Sequence, residues 1–293
     1  MFFFLPAARR PRNVAWLLGA ALLATSCATT PDPTTVAPTN PLPEHLTLGN
    51  PSGATPNSQQ PTNYLLLKPE YALSYHRDQG KPNWVSWHLT AADQGPANRQ
   101  DDFRADATLP AGWYRVSSSS YSGSGFDRGH NCPSADRTAT QAQNSATFLM
   151  TNMVPEAPNH NRQTWVGLEN YCRAQLDGGR NELYILMGSY GRGGTGANGF
   201  ATTLDQGRLT VPARIWKVVV VLPTAAGNDA ARVSSSTRVI AIDTPNDNAL
   251  NSNWGQYRVS IDAIEAATGL DLLSAVPVAV QRVIEARVDD GPV

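Results

Sequence analysis

The 293-residue chain has few of the residues that most often announce a function. It holds three cysteines and five histidines, and contains no C-x-x-C, H-E-x-x-H or G-x-S-x-G. Zinc ribbons, helix-borne zinc proteases and serine hydrolases built on a nucleophile elbow therefore lack their residues. No internal repeat and no heptad pattern is present, which excludes solenoids and coiled coils. Charge is also short: 23 basic against 24 acidic residues leave a formal net charge of -1. A protein that coats nucleic acid needs a basic surface, so a stable coat is excluded. An enzyme that releases its product can work with a local arginine cluster and a metal ion, so catalysis on nucleic acid is not.

What is present begins with the leader "MFFFLPAARRPRNVAWLLGAALLATSC". Arg9, Arg10 and Arg12 precede an apolar run from Val14 to Leu23, too short to cross a bilayer comfortably, and small residues follow. This is the order of a secretory signal. Cys27 after Ala24-Thr25-Ser26 resembles a bacterial lipobox, so residues 1–26 are expected to be a signal peptide and Cys27 a lipid-anchored first residue of an exported, periplasmic or cell-envelope protein. Simple cleavage with secretion and an uncleaved helix are the alternatives. Cutting before Cys27 removes three arginines and no acid, taking the formal charge to -1 - 3 = -4. Cys132 and Cys172 remain, either a pair that an oxidising compartment could join or two separate buried thiols.

Residues 27–62 are rich in Pro, Thr and Asn, a composition that cannot repay the entropy of ordering, and are expected to form a disordered tether. The folded domain is expected over 63–290, with an earlier start near 45 if "LTLGNPSGA" lies against it. Strands are predicted at "NYLLL", "YALSYH", "PNWVSWHL", "TFLMTNM", "ELYILMG", "RIWKVVVVL" and "TRVIAID". The near-continuous apolar runs of the fifth and sixth place them at the middle of a sheet covered on both faces. Two helices are predicted. "NRQTWVGLENYCRAQLDGG" puts Trp165, Leu168, Cys172 and Leu176 on one face, and "DAIEAATG" has Asp262 and Glu265 at capping-box spacing before Gly269. The fold class is α+β.

The loop "GRGGTG", Gly191 to Gly196, fits a dinucleotide-binding pattern and raises the reading of a nicotinamide-dependent oxidoreductase. Breakers rather than a helix follow it, and no suitably placed acid, so it reads as a flexible glycine loop. "GFDRGHNCPSADRT" is different. A lone histidine is by default structural, but His130 follows an Asp-Arg-Gly turn, and Asn161, Glu169 and Arg173 appear from thirty-one positions on (161 − 130). Taken singly, Glu169 and Arg173 read as a surface ion pair four apart, and Asn161 as a helix cap.

Taken together, "DRGH", "NMVPEAPNHNRQTWVGLENYCR", "WVSWHLT", "NRQDDFRADATLPAGWYRV", "YSGSGFDRGH" and "SADRTATQAQNSATFLMTNMVP" closely resemble the DNA/RNA non-specific endonuclease family, the ββα-metal nucleases of the Serratia nuclease and NucA type. The likeness covers most of residues 45–275. It implies a ββα-metal nuclease fold with a central, mainly antiparallel sheet flanked by helices. It also implies an Mg²⁺-dependent enzyme, with Mn²⁺ as the alternative ion, that cuts DNA and RNA internally. His130 matches the general base, Asn161 the direct metal ligand, and Glu169 the acid that reaches the metal through water. Arg99 matches the phosphate-stabilising arginine, and Arg128, Asn152 and Arg173 match accessory substrate-binding positions. An inhibitor protein is a further candidate partner. Two positions depart from the family pattern. Cys132 stands where alanine is usual, and a Cys132–Cys172 disulfide is expected to clamp the His130 segment to the Asn161 helix. Glu156 replaces a usual glutamine and is expected to place an anion near the phosphate path. A non-catalytic lipoprotein that only binds nucleic acid is the competing reading.

Overall fold

The computed structural model describes residues 43–293. Cys27, the signal segment 1–26 and tether residues 27–42 lie outside the described residues. Residues 43–62, assigned above to the tether, are ordered. Leu46, Leu48 and Ala54 are buried, and the Ser52 hydroxyl accepts a 2.8 Å hydrogen bond from the Trp84 indole. Three apolar anchors within nine residues repay the ordering that the Pro/Thr-rich composition argued against.

In chain order the strands are β1 (Tyr64–Leu67), β2 (Ala72–His76), β3 (Lys81–Leu89), β4 (Asp127–His130) and β5 (Met153–Glu156). There follow β6 (Asn181–Tyr190), β7 (Gly194–Gly196), β8 (Gly199–Ala201), β9 (Thr203–Leu204) and β10 (Leu209–Thr210). The last are β11 (Arg214–Pro223), β12 (Arg238–Pro245) and β13 (Arg258–Val259). The helices are α1 (Gln141–Ala146), α2 (Val166–Ala174), α3 (Asp229–Arg232), α4 (Ile261–Thr268) and α5 (Val278–Ile284). None of the described helices is long and apolar enough to cross a membrane.

Seven strands form one sheet in the order β1-β2-β3-β6-β11-β12-β13, every neighbouring pair antiparallel. The two apolar runs, β6 and β11, sit at its middle as expected, because side chains on both of their faces are covered. Gly188 on β6 is required by a close approach: a Cβ there would meet the Trp216 ring at 2.6 Å. Alternation along β11 sends Trp216, Val218 and Val220 into one apolar cluster and Ile215 and Val219 into the other.

The two faces are covered differently. One packs against Leu46 and Leu48, α4 and α5 through Ile261, Ile264 and Ile284. The other packs against Trp165, Leu168, Cys172 and Leu176, the stripe predicted for the α2 segment. Ser260, rather than Asp262, caps α4 by accepting from the Ala263 amide, and Gly269 ends it in the left-handed conformation. A hydroxyl one position before the helix satisfies an otherwise unpaired amide, whereas Asp262 already lies inside the first turn.

Two other expectations change. "TFLMTNM" is not one strand: Met150–Asn152 is a 3-10 turn and only Met153–Glu156 is extended, because the turn buries the polar Thr151 and Asn152 on hydrogen bonds that a strand would not offer. "GRGGTG" ends in β7, the first strand of a β-hairpin with β8, and opens no helix.

Candidate active site

The residues "DRGH" form β4 rather than a turn, and β4 pairs with β5 in a separate two-stranded ribbon, His130 opposite Met153 and Asp127 opposite Glu156. Gly129 allows this. A Cβ there would fall 1.9 Å from the Glu156 carboxylate, which lies across the ribbon at that point. The chain then passes through a six-residue π-helical turn, His160–Trp165, directly into α2. Two strands and a helix thus converge, with His130 at the end of one strand and Asn161 in the π turn, a wide winding often found at functional sites.

Arg99, Arg128, His130, Asn161, Glu169 and Arg173 line one cleft of about 380 Å³, together with Ser134 and Arg162. Six of the seven residues proposed for catalysis, metal and substrate are brought together. The cleft continues past Arg99, Arg128 and Asn161 into a second hollow of about 330 Å³ lined by Phe103, Ser118, Tyr121 and Ser122. Of the four arginines in the first hollow, Arg99, Arg162 and Arg173 each pair with an aspartate, so among the described residues Arg128 is the one with no acidic partner.

The seventh residue, Asn152, is not in the cleft. It is fully buried: its side-chain oxygen accepts from the Cys132 amide at 3.0 Å, and its nitrogen donates to the Cys132 and Thr147 carbonyls at 2.9 Å each. Its amide braces the turn that follows His130, and the expected contact with substrate is replaced by this structural one.

The His130 ring stands edge-on to Phe148, centroids 4.9 Å apart, and tilted to Phe103. Its Nε2 is buried without a hydrogen-bond partner. Burial, with Arg99 and Arg128 nearby, pushes the imidazole from its ordinary 6.5 down to about 3. The ring is therefore neutral at any physiological pH. Arg99 lies over the Phe148 ring at 4.9 Å and is steadied by Asp101 at 2.7 Å and the Ser134 hydroxyl at 2.9 Å. Arg128 stacks 4.1 Å above Phe103. Aromatic faces hold both guanidiniums while leaving their N–H edges to the cleft.

Asn161 is oriented by a residue that was not singled out. Asp127, the first residue of "DRGH", accepts 2.8 Å hydrogen bonds from Asn161 Nδ2 and Arg162 Nε. With its nitrogen so committed, the Asn161 amide keeps Oδ1 as a free acceptor. Glu169 is pushed above the usual carboxylate range by burial, against the pull of Lys217. Lys217 was hidden in the apolar run of β11. It is 1 % exposed, lies 4.9 Å above the Trp165 ring, and its Nζ is 3.4 Å from Glu169 Oε1. A single lysine interrupting "RIWKVVVVL" was the available signal. The expected Glu169–Arg173 pair does not form; Arg173 instead donates to Asp136 at 2.7 Å and Asn170 at 2.6 Å.

Both departures from the family pattern are corrected. Cys132 and Cys172 are free thiols within the same apolar cluster, and burial raises both, Cys172 to about 12. Such thiols behave as small apolar side chains. Glu156 is fully buried and bonded to His160 Nδ1 at 2.5 Å, while His160 Nε2 meets the Thr244 hydroxyl at 2.8 Å. Facing β12 rather than the cleft, it places no anion on a phosphate path.

A histidine strand, a polar π turn and a carboxylate helix around an arginine-lined cleft define a ββα-metal nuclease. The chain belongs to the DNA/RNA non-specific endonuclease family, whose pattern matches residues 48–279. It is an enzyme of that hydrolytic, metal-dependent family. A nuclease of Nostoc sp. is 51% identical over 246 residues, 84% of this chain and 86% of that protein. Nuclease C1 of Cunninghamella echinulata is 31% identical, covering 70% of this chain and 81% of its own. Human mitochondrial endonuclease G is 29% identical over 70% of this chain and 68% of that one. The fold matches a chain in the crystal structure of the EndoG/EndoGI complex with a TM-score of 0.63 and 22% identity, covering 82% of this chain and 94% of that chain.

Proposed function

We propose that this chain is an exported, lipid-anchored endonuclease that hydrolyses phosphodiester bonds of DNA and RNA with Mg²⁺, His130 being the general base. The observation that carries the reading is one cleft holding His130, Asn161, Glu169 and the arginines 99, 128 and 173. The donor set fits a hard divalent cation: a free amide oxygen on Asn161 and a carboxylate on Glu169, both oxygens. When bound there, such an ion supplies Lewis-acid stabilisation of charge on the phosphate and on the departing 3′ oxygen.

The remaining steps belong to the protein. The neutral His130 imidazole takes a proton from an attacking water. The water oxygen bonds to phosphorus as the bond to the 3′ oxygen breaks, and the departing oxygen takes a proton from solvent to become a hydroxyl. Arg99, and beside it Arg128, donate to non-bridging oxygens as negative charge grows there, an interaction stronger in the transition state than before it. Arginine contacts to phosphate read no base edge, so the cleft accepts either nucleic acid. Asp127 holds the Asn161 amide in register, and Lys217 holds the Glu169 carboxylate.

The leader and Cys27 supply the support for export and anchoring. Cell fractionation with Cys27→Ser compared to wild type tests that part: release of the variant from membranes is expected. For the chemistry, plasmid and RNA are incubated with the purified protein in Mg²⁺ or EDTA. Degradation that needs the metal and falls about 10²- to 10⁴-fold in a folded His130→Ala is expected. Intact nucleic acid in every reaction, with binding retained, would establish the non-catalytic reading instead.

A further inference from the structure

On the sheet face opposite the cleft, Asp262 and Glu265 of α4 and Glu285 at the end of α5 bring one carboxylate oxygen each within 4.8 Å of one another. Among the described residues no lysine, arginine or histidine pairs with any of them. Arg238 and Arg258, which tie down the C-terminal segment, pair with Asp289. The other cluster of this kind, His88 with Glu182 and Asp229, already contains the guanidinium of Arg232 bonded to both acids, and needs nothing more.

An independent feature of Glu285 points to a missing partner. It is 6 % exposed, and its Oε1 is buried without any hydrogen bond. A buried, unsatisfied carboxylate costs free energy unless something positive meets it. The backbone also holds the cluster in place: the Asp262 amide donates to the Glu285 carbonyl at 3.1 Å, and Glu265 Oε1 accepts from the Leu272 amide at 2.7 Å. Glu285 closes α5, where the carbonyl end of the helix favours a cation. Burial, then Glu265, Asp271 and Asp262, raise its carboxyl from 4.5 to about 7, as expected of an anion lacking a counter-charge.

We propose that Asp262, Glu265 and Glu285 form a second cation site, separate from the cleft, which takes a calcium-like divalent ion and staples α4 to the end of α5. All three donors are hard oxygens, and the exposed Asp262 leaves room for water to complete the shell. Calcium takes about six to eight oxygens in a flexible arrangement, whereas Mg²⁺ demands a near-ideal octahedron, so three carboxylates drawn from two helices suit calcium better.

Thermal unfolding of the full chain, first stripped with EDTA, tests this. Millimolar Ca²⁺ is expected to raise the melting temperature of wild type and of the cleft variant Asn161→Ala equally. Asp262→Asn, exposed and so no threat to folding, is expected to lose the shift and to weaken calorimetrically measured Ca²⁺ binding at least ten-fold. Glu285→Gln is expected to melt higher than wild type without metal and to ignore Ca²⁺. Absence of a shift in wild type, or a shift that survives Asp262→Asn, overturns the proposal. A shift that vanishes only in Asn161→Ala assigns the ion to the cleft and overturns it equally.

Discussion

The two faces of the central sheet are built from the same strands and do different work. Behind β11, Trp216, Val218 and Val220 meet α4, α5 and the N-terminal anchors through apolar side chains. In front, the same strand contributes Lys217 between Ile215 and Val219, and the buried Asp136 and His160 bond to Trp87 and Thr244 of the same sheet. Each buried charge costs stability that an apolar residue would not. The front face accepts that cost because the polar groups brace the His130 ribbon and the Asn161 turn. The rear face packs mainly through apolar side chains; its charges include the His88–Glu182–Asp229–Arg232 network, whose members pair with one another, and Glu285, whose Oε1 has no partner.

The comparison can be broken most severely at Asn152. In Asn152→Ala the Cys132 amide and two carbonyls lose their partner in a dry interior, at ~1 to 3 kcal/mol for each unsatisfied group. Chemical denaturation should show a loss of several kcal/mol (about 3 or more), and kcat should fall because the turn after His130 loosens. If stability holds while substrate binding alone weakens, Asn152 faces nucleic acid after all.

Lys217→Met tests the buried charge that β11 lends the front face. Breaking a fully buried pair costs ~3 to 5 kcal/mol; the loss here should be smaller, about 2 kcal/mol, because Glu169 reaches the cleft. Without the lysine the Glu169 carboxyl rises further, so activity should need a higher pH and more Mg²⁺. A pH-rate profile unchanged from wild type would show that Lys217 only fills space.

On the rear face the expected effect is one of pH. The folded Glu285 binds its proton up to about 7 and the unfolded one only up to 4.5, so the folded state holds more protons in that window. Stability without metal should therefore fall as pH rises from 4.5 to 7, and the fall should flatten in Glu285→Gln. Melting curves taken across that range decide it.

The smallest effect is expected for Glu156→Gln. The side chain is sealed against His160 and Gly129, so KM and its salt dependence should stay unchanged, with only a minor shift in melting temperature. A lower KM would return Glu156 to the phosphate path.

The elements that could be read from sequence are those in which the local pattern and the final environment agree. The apolar runs of β6 and β11 read as central strands, and the stripe Trp165, Leu168, Cys172, Leu176 read as a buried helix face. The cleft residues were legible through the resemblance of the segments around them to the nuclease family; taken singly, His130, Asn161 and Glu169 read as structural. What escaped depends on contacts between distant segments. Lys217 is indistinguishable from a solvent-facing lysine until Trp165 and Glu169 are placed above it. Asn152 looks like a cleft residue until the Cys132 backbone is seen to use both of its amide atoms. Glu156 looks like a surface anion because nothing nearby in sequence reveals that β4 and β12 enclose it. Leu46 and Leu48 were half legible: they stand in a composition of tether type, yet the alternative domain start near 45 already included them.

The π turn from His160 to Trp165 sets the phase of everything after it. An α-helix advances ~100° per residue, and the wider π winding takes up one residue without that rotation; forcing the segment into α winding at unchanged length would swing the rest of α2 through about that angle. Glu169 and Arg173 would then leave the cleft as Leu168 and Cys172 left the core. The site and the apolar face of α2 are thus geared together, and a single inserted step in the winding keeps both engaged.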